Sequence, residues 1–566
     1  MSVLHASHSI TWSLVWATIV SCISTLQFGF HLAVFNAPQD ILSCRKSVSG
    51  PFQSYSETLW AHLNLLQCIP MSQASIASIN TMFTVGGLVS STIIGSHYIS
   101  GTFGRKHLQK ISALIFFAGS AMIVMANNVF VLNTGRLLTG LAAGSCMVIA
   151  PILISELTPF NHRGLMGSLL QFGVGIGILM AQGFSFPWSN DQQWRNLFVA
   201  GAVLGLVQFV LLFTTVESPK WLIMQKGDVS NASEILHGLR TSKSATRREI
   251  NHWRRLSSSS GVRPVTDSTL LLEDNEDDSY APLSYTDSGT PIHDDPDAAA
   301  TLSFADYMLG VKYRKEWVAV AIIMSAQQLC GMNAITFYGV SIMSNIVPQG
   351  TNVLYLTLSL ALTNVAAALA VCPFIDRWGR RGFLLVSVAF MASFALVIST
   401  GLMRKMDYVA AAGCFGFVVA YSIGLGQIPF LMVNELSSTE AVGMGQSLGT
   451  MFNWLANICI AFLFPSIMIF GGVTAGEDSN KGGSLSLFGR LGRKGGHSTI
   501  TPGGSFKFVK VPFHQNCTAS RAEMAKSKPS HFQPLGWHTC NYENLNFQEF
   551  QIVWRYDFGS SPLDII

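Results

Sequence analysis

Charged side chains are scarce in this chain. Asp, Glu, Lys and Arg make up 12 % of its 566 residues, about half of the roughly 25 % found in soluble domains. The length would allow several water-soluble domains, but so little charge could not clothe them. Ten cysteines form no CxxC pair and no metal-ligand spacing. That removes a dithiol redox motif and a zinc site, and most of the cysteines fall in apolar stretches, where they act as small hydrophobes. Paired carboxylates and a Ser–His–Asp grouping are lacking outside the apolar segments. An enzyme reading therefore has little support, and neither a cofactor nor a metal is implied. The net charge of +4 asks for no nucleic-acid partner. The N-terminus lacks a signal-peptide pattern, because its first apolar run is long enough to stay in a bilayer.

Apolar residues account for 49 % of the chain, and they are gathered into long runs. A hydrocarbon core about 30 Å thick demands roughly 20 such residues per crossing. Eleven segments qualify, at 10–32, 76–99, 108–126, 133–155, 164–183, 194–215, 316–341, 352–375, 382–403, 409–433 and 443–470. Only a helix satisfies its own backbone donors and acceptors in lipid, so the expected fold class is all-α and integral to the membrane. Orientation follows from basic residues in the connections. Arg105, Lys106 and Lys110 follow the second segment, Arg163 the fourth, and Arg377, Arg380 and Arg381 the eighth, while the alternate loops hold fewer. The N-terminus is thus expected in the cytoplasm.

Four regions result: a six-helix lobe at 10–215, a cytoplasmic linker at 216–315, a second lobe at 316–470, and a tail at 471–566. The linker opens with amphipathic helical pattern (WLIMQKG, ASEILHGLR) and continues into an acidic stretch rich in Ser, Pro and Asp, which reads as disordered. The tail holds no run of spanning length and neither helical nor strand periodicity. A twelfth span is missing, and the alternatives are a soluble extension or a misread exon boundary, the second being favoured. Cys44 and Cys68 bracket the polar loop between the first two segments. They form a disulfide if that loop faces an oxidising compartment and two free thiols otherwise.

The two lobes repeat each other. Phe103-Gly104-Arg105-Lys106 follows the second segment of the first lobe, and Trp378-Gly379-Arg380-Arg381 the second segment of the other. Glu156 and Glu435 follow the fourth segments in the same way. Parallel six-helix repeats are a transporter architecture, with the substrate site between them near mid-membrane.

Polar residues inside spans are functional candidates by default. They are Gln171 in the fifth segment, Gln327, Gln328 and Asn333 in the seventh, Asn364 in the eighth, and Asn453, Trp454 and Asn457 in the eleventh. An amide both donates and accepts, as a sugar hydroxyl does, and an indole face suits the C–H face of a pyranose. The competing reading is that these amides merely bond neighbouring helices.

Several motifs in order give this pattern a family. Thr25–Phe30 with Asn36-Ala37-Pro38-Gln39, Glu156-Leu157-Thr158-Pro159 with Arg163-Gly164, Glu217–Leu222, QQLCGMNAITFY, Asp376–Arg381 and Asn453-Trp454 resemble the sugar porters of the major facilitator superfamily, which include the facilitative glucose transporters. The resemblance covers roughly residues 10–470 and implies a two-lobe bundle with eleven of its spans visible. It implies that Gln171, Gln327, Gln328, Asn333, Asn364, Trp454 and Asn457 face a hexose-like sugar. It also implies that Arg105, Glu156, Arg163, Glu217, Arg377, Arg381 and Glu435 form an ion-pair latch between the lobes. Proton symporters of the family carry Asp in the first helix where this chain has His31, so facilitative uniport is favoured over proton symport, with His31 as the candidate proton site. Thr102, Gly101 and Val442 replace charged members of the latch, and Phe430 stands where the glucose transporters have Trp. HLAVFNAPQ and the cysteine-bearing loop resemble a fungal branch associated with vacuolar protein sorting. That branch adds a non-transporting scaffold or sensor as the alternative, and a vacuolar or endosomal membrane beside the plasma membrane as the location.

Overall fold

In the computed structural model, residues 10–94, 97–159, 162–259, 304–346, 353–375, 379–404, 406–437 and 441–470 are described. All regular structure among them is helical, with no strand. The first half contributes α1 (Trp12–Ala33), α2 (Gln73–Ile94), α3 (Arg105–Val124), α4 (Val129–Leu157), α5 (Arg163–Trp188) and α6 (Arg195–Leu211). The second contributes α7 in two pieces (Arg314–Leu329 and Met332–Ile346), α8 (Val353–Val371) and α9 (Arg380–Met403). It continues with α10 in two pieces (Asp407–Ile423 and Ile428–Leu436) and α11 (Val442–Phe470). Ten of these stretches have the length and hydropathy of membrane spans; the eleventh expected segment is the 29-residue α11. The expected disordered linker stretch, the twelfth span and the nature of the tail concern residues outside those described.

Local chemistry sets the helix starts. The Thr11 hydroxyl accepts from the Leu14 N–H and the Asn128 side chain from Val131, each satisfying a donor that the first turn leaves free. Helices then meet through small residues, because lipid offers no hydrophobic drive for helices to associate. A Cβ on Gly177 of α5 would lie 2.7 Å from the Phe30 nitrogen of α1, so only glycine permits that crossing. Two of the helices are broken near their middles. Gly331, at φ +91°, separates the pieces of α7, and residues 424–427 separate those of α10.

Contacts arrange α1 against α5 and α4, and α2 against α4 and α11. α5 lies against α8, and the first piece of α7 against α11. The halves thus face each other through α1, α2 and α5 on one side and α7, α8 and α11 on the other. One end of the bundle, the linker side, carries the helices Val229–Leu239 and Lys243–Ser259, which pack through Ile223, Val229, Leu236, Ile250 and Trp253. Arg240 ties them to the first half by donating to the Leu157 carbonyl at 2.7 Å. The other end, the disulfide side, carries the α1–α2 loop, closed by a Cys44–Cys68 disulfide with a Cα separation of 5.4 Å. Buried Arg195 holds this loop down, donating to the carbonyls of Leu66 at 2.8 Å and Ala126 at 2.9 Å.

Candidate functional site

A narrow cavity lies between the halves. Gln171 reaches it from α5 of the first half. Gln327, Gln328 and Asn333 reach it from the break of α7, Asn364 from α8, and Asn453 and Trp454 from α11. Six of the seven residues proposed from sequence to face a sugar are therefore on one wall or another of a single space. The seventh, Asn457, sits one turn further along α11, buried and outside the lining. Its Oδ1 has no hydrogen-bond partner among the described residues.

The second-half amides form a connected chain. Asn333 Nδ2 donates to Gln328 Oε1 at 2.5 Å, Gln328 Nε2 to Asn453 Oδ1 at 2.9 Å, and Asn453 Nδ2 to Gln327 Oε1 at 2.8 Å. Gln327 Nε2 then donates to the carbonyls of Leu425 and Gly426, both at 3.0 Å. Those carbonyls are available because α10 is broken there. Each amide so fixed keeps unused donor or acceptor capacity for a guest, and its orientation is set beforehand. Helix bonding and cavity lining are thus done by the same side chains. Gln171 differs: it is half-buried and makes no hydrogen bond within the described residues.

Aromatic side chains close the remaining walls. Trp454 stands edge-on to Phe28 at 5.6 Å and to Phe83 at 5.7 Å between centroids, and Phe28, Tyr421 and Phe430 line the space. Sequence reasoning placed Phe430 at a glucose-transporter Trp position and passed over Phe28 and Tyr421. It named Asn453 without a role, although Asn453 is the junction of the amide chain.

The halves touch on both sides of the cavity. On the linker side the Ser447 hydroxyl donates to the Ser91 carbonyl, and Gln446 Nε2 donates to the Met147 carbonyl at 3.4 Å. On the disulfide side the Val340 N–H donates to Asn36 Oδ1 at 2.9 Å, and Phe186 packs on Tyr355 with ring centroids 4.4 Å apart.

The residues expected to form the ion-pair latch make the following contacts among the described residues. Arg105 pairs with Glu156 at 3.2 Å, and the Ser218 hydroxyl donates to the same carboxylate at 2.6 Å. Glu217 accepts from the Lys106 N–H at 3.0 Å, and Arg163 donates to the Thr158 carbonyl at 3.4 Å. In the second half Glu435 pairs with Arg380 at 2.8 Å. Arg105–Glu156 and Arg380–Glu435 each lie within one half, and Glu217 and Ser218 tie the start of the linker to the first half. Arg377 falls outside the described residues, and Arg381 opens α9 beside Arg380.

His31 is fully buried in α1, stacked on Phe116 at 5.0 Å, with Nε2 3.3 Å from the Ser120 hydroxyl. Beside it lies a charge that sequence reasoning overlooked. Arg136 of α4 is fully buried and donates to the His31 carbonyl at 2.8 Å, with its guanidinium between the rings of Phe35 and Phe83 at 4.7 and 4.3 Å. Among the described residues it meets carbonyls and ring faces and no carboxylate. An arginine inside an apolar span is visible in a hydropathy scan and could have been singled out on that ground.

Known proteins resemble this chain in sequence and in fold. A sequence model of the family described as "Sugar (and other) transporter" matches residues 16–477. The probable metabolite transport protein YBR241C of Saccharomyces cerevisiae is 32 % identical over 459 residues, 81 % of this chain and 87 % of the relative. Vacuolar protein sorting-associated protein 73 of the same yeast is 27 % identical, covering 81 % and 89 %. Facilitated glucose transporter member 3 of solute carrier family 2 from Gallus gallus is 27 % identical, covering 81 % and 84 %. Among solved structures, the major facilitator proton:xylose symporter XylE bound to 6-bromo-6-deoxy-D-glucose superposes at a TM-score of 0.62 with 18 % identity, covering 85 % of this chain and 94 % of that one. The chain belongs to the sugar (and other) transporter family, as a multi-pass membrane protein with the major facilitator fold.

Proposed function

We propose that this protein carries a hexose-like sugar across its membrane by alternating access, as a facilitative uniporter. One observation carries the reading. Gln171 of one half and the Gln327–Gln328–Asn333–Asn453 chain of the other face a common cavity that also presents the Trp454 indole. Amides and an aromatic face are the groups a neutral polyol needs, and sharing them between halves makes binding sensitive to how the halves are set. A solute that binds best when both halves reach it shifts the equilibrium toward closure around itself. Contacts on both sides of the cavity support a cycle in which one side opens while the other stays shut.

Uniport is supported by His31 and Arg136. In this chain the buried guanidinium faces a backbone carbonyl and aromatic rings, where an acid taking up and releasing a proton would be needed for carboxylate-driven coupling. The disulfide supports the orientation, because such bonds persist where the compartment is oxidising. The α1–α2 loop then faces the exterior or a lumen, and the N-terminus and linker face the cytoplasm. Uptake of labelled D-glucose in a transporter-null host tests the reading; correct membrane expression without uptake counts against it.

The similarity to vacuolar protein sorting-associated protein 73 favours a second reading, a non-transporting scaffold or sensor in vacuolar or endosomal trafficking. Gln328→Ala separates the two. A phenotype lost with this substitution requires the cavity, and one that survives it points to a scaffold.

A further inference from the structure

We infer that the first half holds a file of bound water molecules along the seam between α1, α3 and α6, apart from the cavity. The seam is polar where helices inside a membrane are ordinarily apolar. Two pairings set its register. Nε2 of His31 on α1 lies 3.3 Å from the Ser120 hydroxyl of α3, and the Cys146 thiol of α4 meets both Ser24 of α1 and Ser112 of α3. The same offset between α1 and α3, carried one turn toward the linker side, sets Ser21 opposite Gln109. Between Ser24 and His31, Gln27 Nε2 donates to Gln208 Oε1 of α6. All of these side chains are buried, and none lines the cavity.

Much of this polar capacity is unused by the protein. Ser21 Oγ, both amide atoms of Gln109, Gln27 Oε1, Gln208 Nε2 and His31 Nδ1 find no hydrogen-bond partner among the described residues. Buried polar atoms are rarely left so, because stranding one costs more than an ordinary hydrogen bond returns. Several strung along one seam point to a guest that satisfies them. That guest must donate and accept at once, since amide N–H donors stand beside amide oxygens, and an ion of either sign would meet wrong partners among them. It must also be small. A Cβ on Gly205 of α6 would lie 2.9 Å from the Phe117 nitrogen and 3.0 Å from the Ala113 oxygen of α3, so the backbones of these helices are already in contact. Water meets both demands, and a buried water takes about three such partners. Phe28, one residue beyond Gln27, lines the cavity, so α1 stands between the solute site and the hydrated seam.

The seam is independent of which solute the cavity takes, and the test needs no transport. The full chain in lipid nanodiscs is mixed into water labelled with oxygen-18 and exposed to short X-ray pulses. Hydroxyl radicals born from a bound water mark the side chains beside it, and mass spectrometry reads them. Phe116, stacked on His31, and Cys146 should be oxidised with the heavy oxygen. Their yields should exceed those of the equally buried Phe198 and Cys414, which lie off the seam, by about fivefold or more. Gln109→Met keeps size and removes one donor and one acceptor; Gln27→Met does the same one level away. Each should lower the Phe116 and Cys146 yields about fivefold, the effect of one net hydrogen bond on a water's occupancy, without raising the thermal midpoint. Wild-type Phe116 and Cys146 as protected as Phe198 and Cys414 would overturn the proposal. Yields indifferent to both substitutions overturn it too, as does a raised midpoint in Gln109→Met, which marks an amide stranded in a dry seam. Should a variant fail to fold, the wild-type yields decide.

Discussion

The Trp454 indole of the second half stands edge-on to Phe28 of the first, their centroids 5.6 Å apart and their planes at 79°. This pair crosses the division between the halves at the wall of the cavity, so it reports on both the interface and the site. Trp454→Leu keeps an apolar group and removes the ring contacts with Phe28 and Phe83. Such contacts are worth about 0.5–1.5 kcal/mol beyond area burial. Apparent affinity for D-glucose is expected to weaken by roughly tenfold, with the protein still inserted; a dose series of uptake checks it.

Gln328 is the middle of the amide chain. Gln328→Ala strands Asn333 Nδ2, which donates to the Gln328 Oε1, and Asn453 Oδ1, which accepts from the Gln328 Nε2. A stranded buried polar group costs about 1–3 kcal/mol. Transport is expected to fall at least tenfold, whereas Gln328→Glu, which keeps the acceptor oxygen and replaces the donor by a second acceptor, should retain Asn333 and lose Asn453. Uptake measured across both variants shows whether the chain acts as one unit.

Much of this site is readable from residues alone, for a physical reason. An amide in a run of apolar residues is conspicuous, so Gln171, Gln327, Gln328, Asn333 and Asn364 stand out in the chain before any coordinates. Phe28 and Tyr421 do not, since an aromatic facing a cavity and one facing lipid look alike in hydropathy. Asn457 shows the converse. It is as polar as Asn453, but one helical turn decides which of them reaches the cavity. The breaks in α7 and α10 depend on tertiary partners for the freed backbone groups, as with the carbonyls of Leu425 and Gly426, and periodicity carries no trace of such partners. The ion pairs were legible as residue types and not as partners: Glu435 meets Arg380 of its own half.

The Cys44–Cys68 disulfide closes a loop with a sequence separation of 24. Chain-entropy arguments assign such a loop roughly 3 kcal/mol of stabilisation. Cys44→Ser with Cys68→Ser should therefore lower the thermal midpoint of the purified protein by several degrees, and adding reductant to wild type should do the same. Differential scanning fluorimetry checks both.

Arg136 is buried between Phe35 and Phe83 with a carbonyl acceptor in His31. Arg136→Lys keeps the charge and loses the planar fork that stacks and donates at once. Misfolding or at least a tenfold loss of uptake is expected, with Arg136→Met no worse, because removing a buried charge also removes its desolvation penalty. Expression level and uptake per molecule, measured together, separate the two effects.

The central claim is that a sugar is bound by the cavity and moved without a coupled ion. Purified protein in proteoliposomes, loaded with labelled D-glucose and equipped with an internal pH dye, tests it in one experiment. The account predicts saturable efflux and accelerated exchange against unlabelled D-glucose, both lost in Gln328→Ala, with no pH change at the onset of flux. Flux that carries protons, or efflux unaffected by Gln328→Ala, would contradict it.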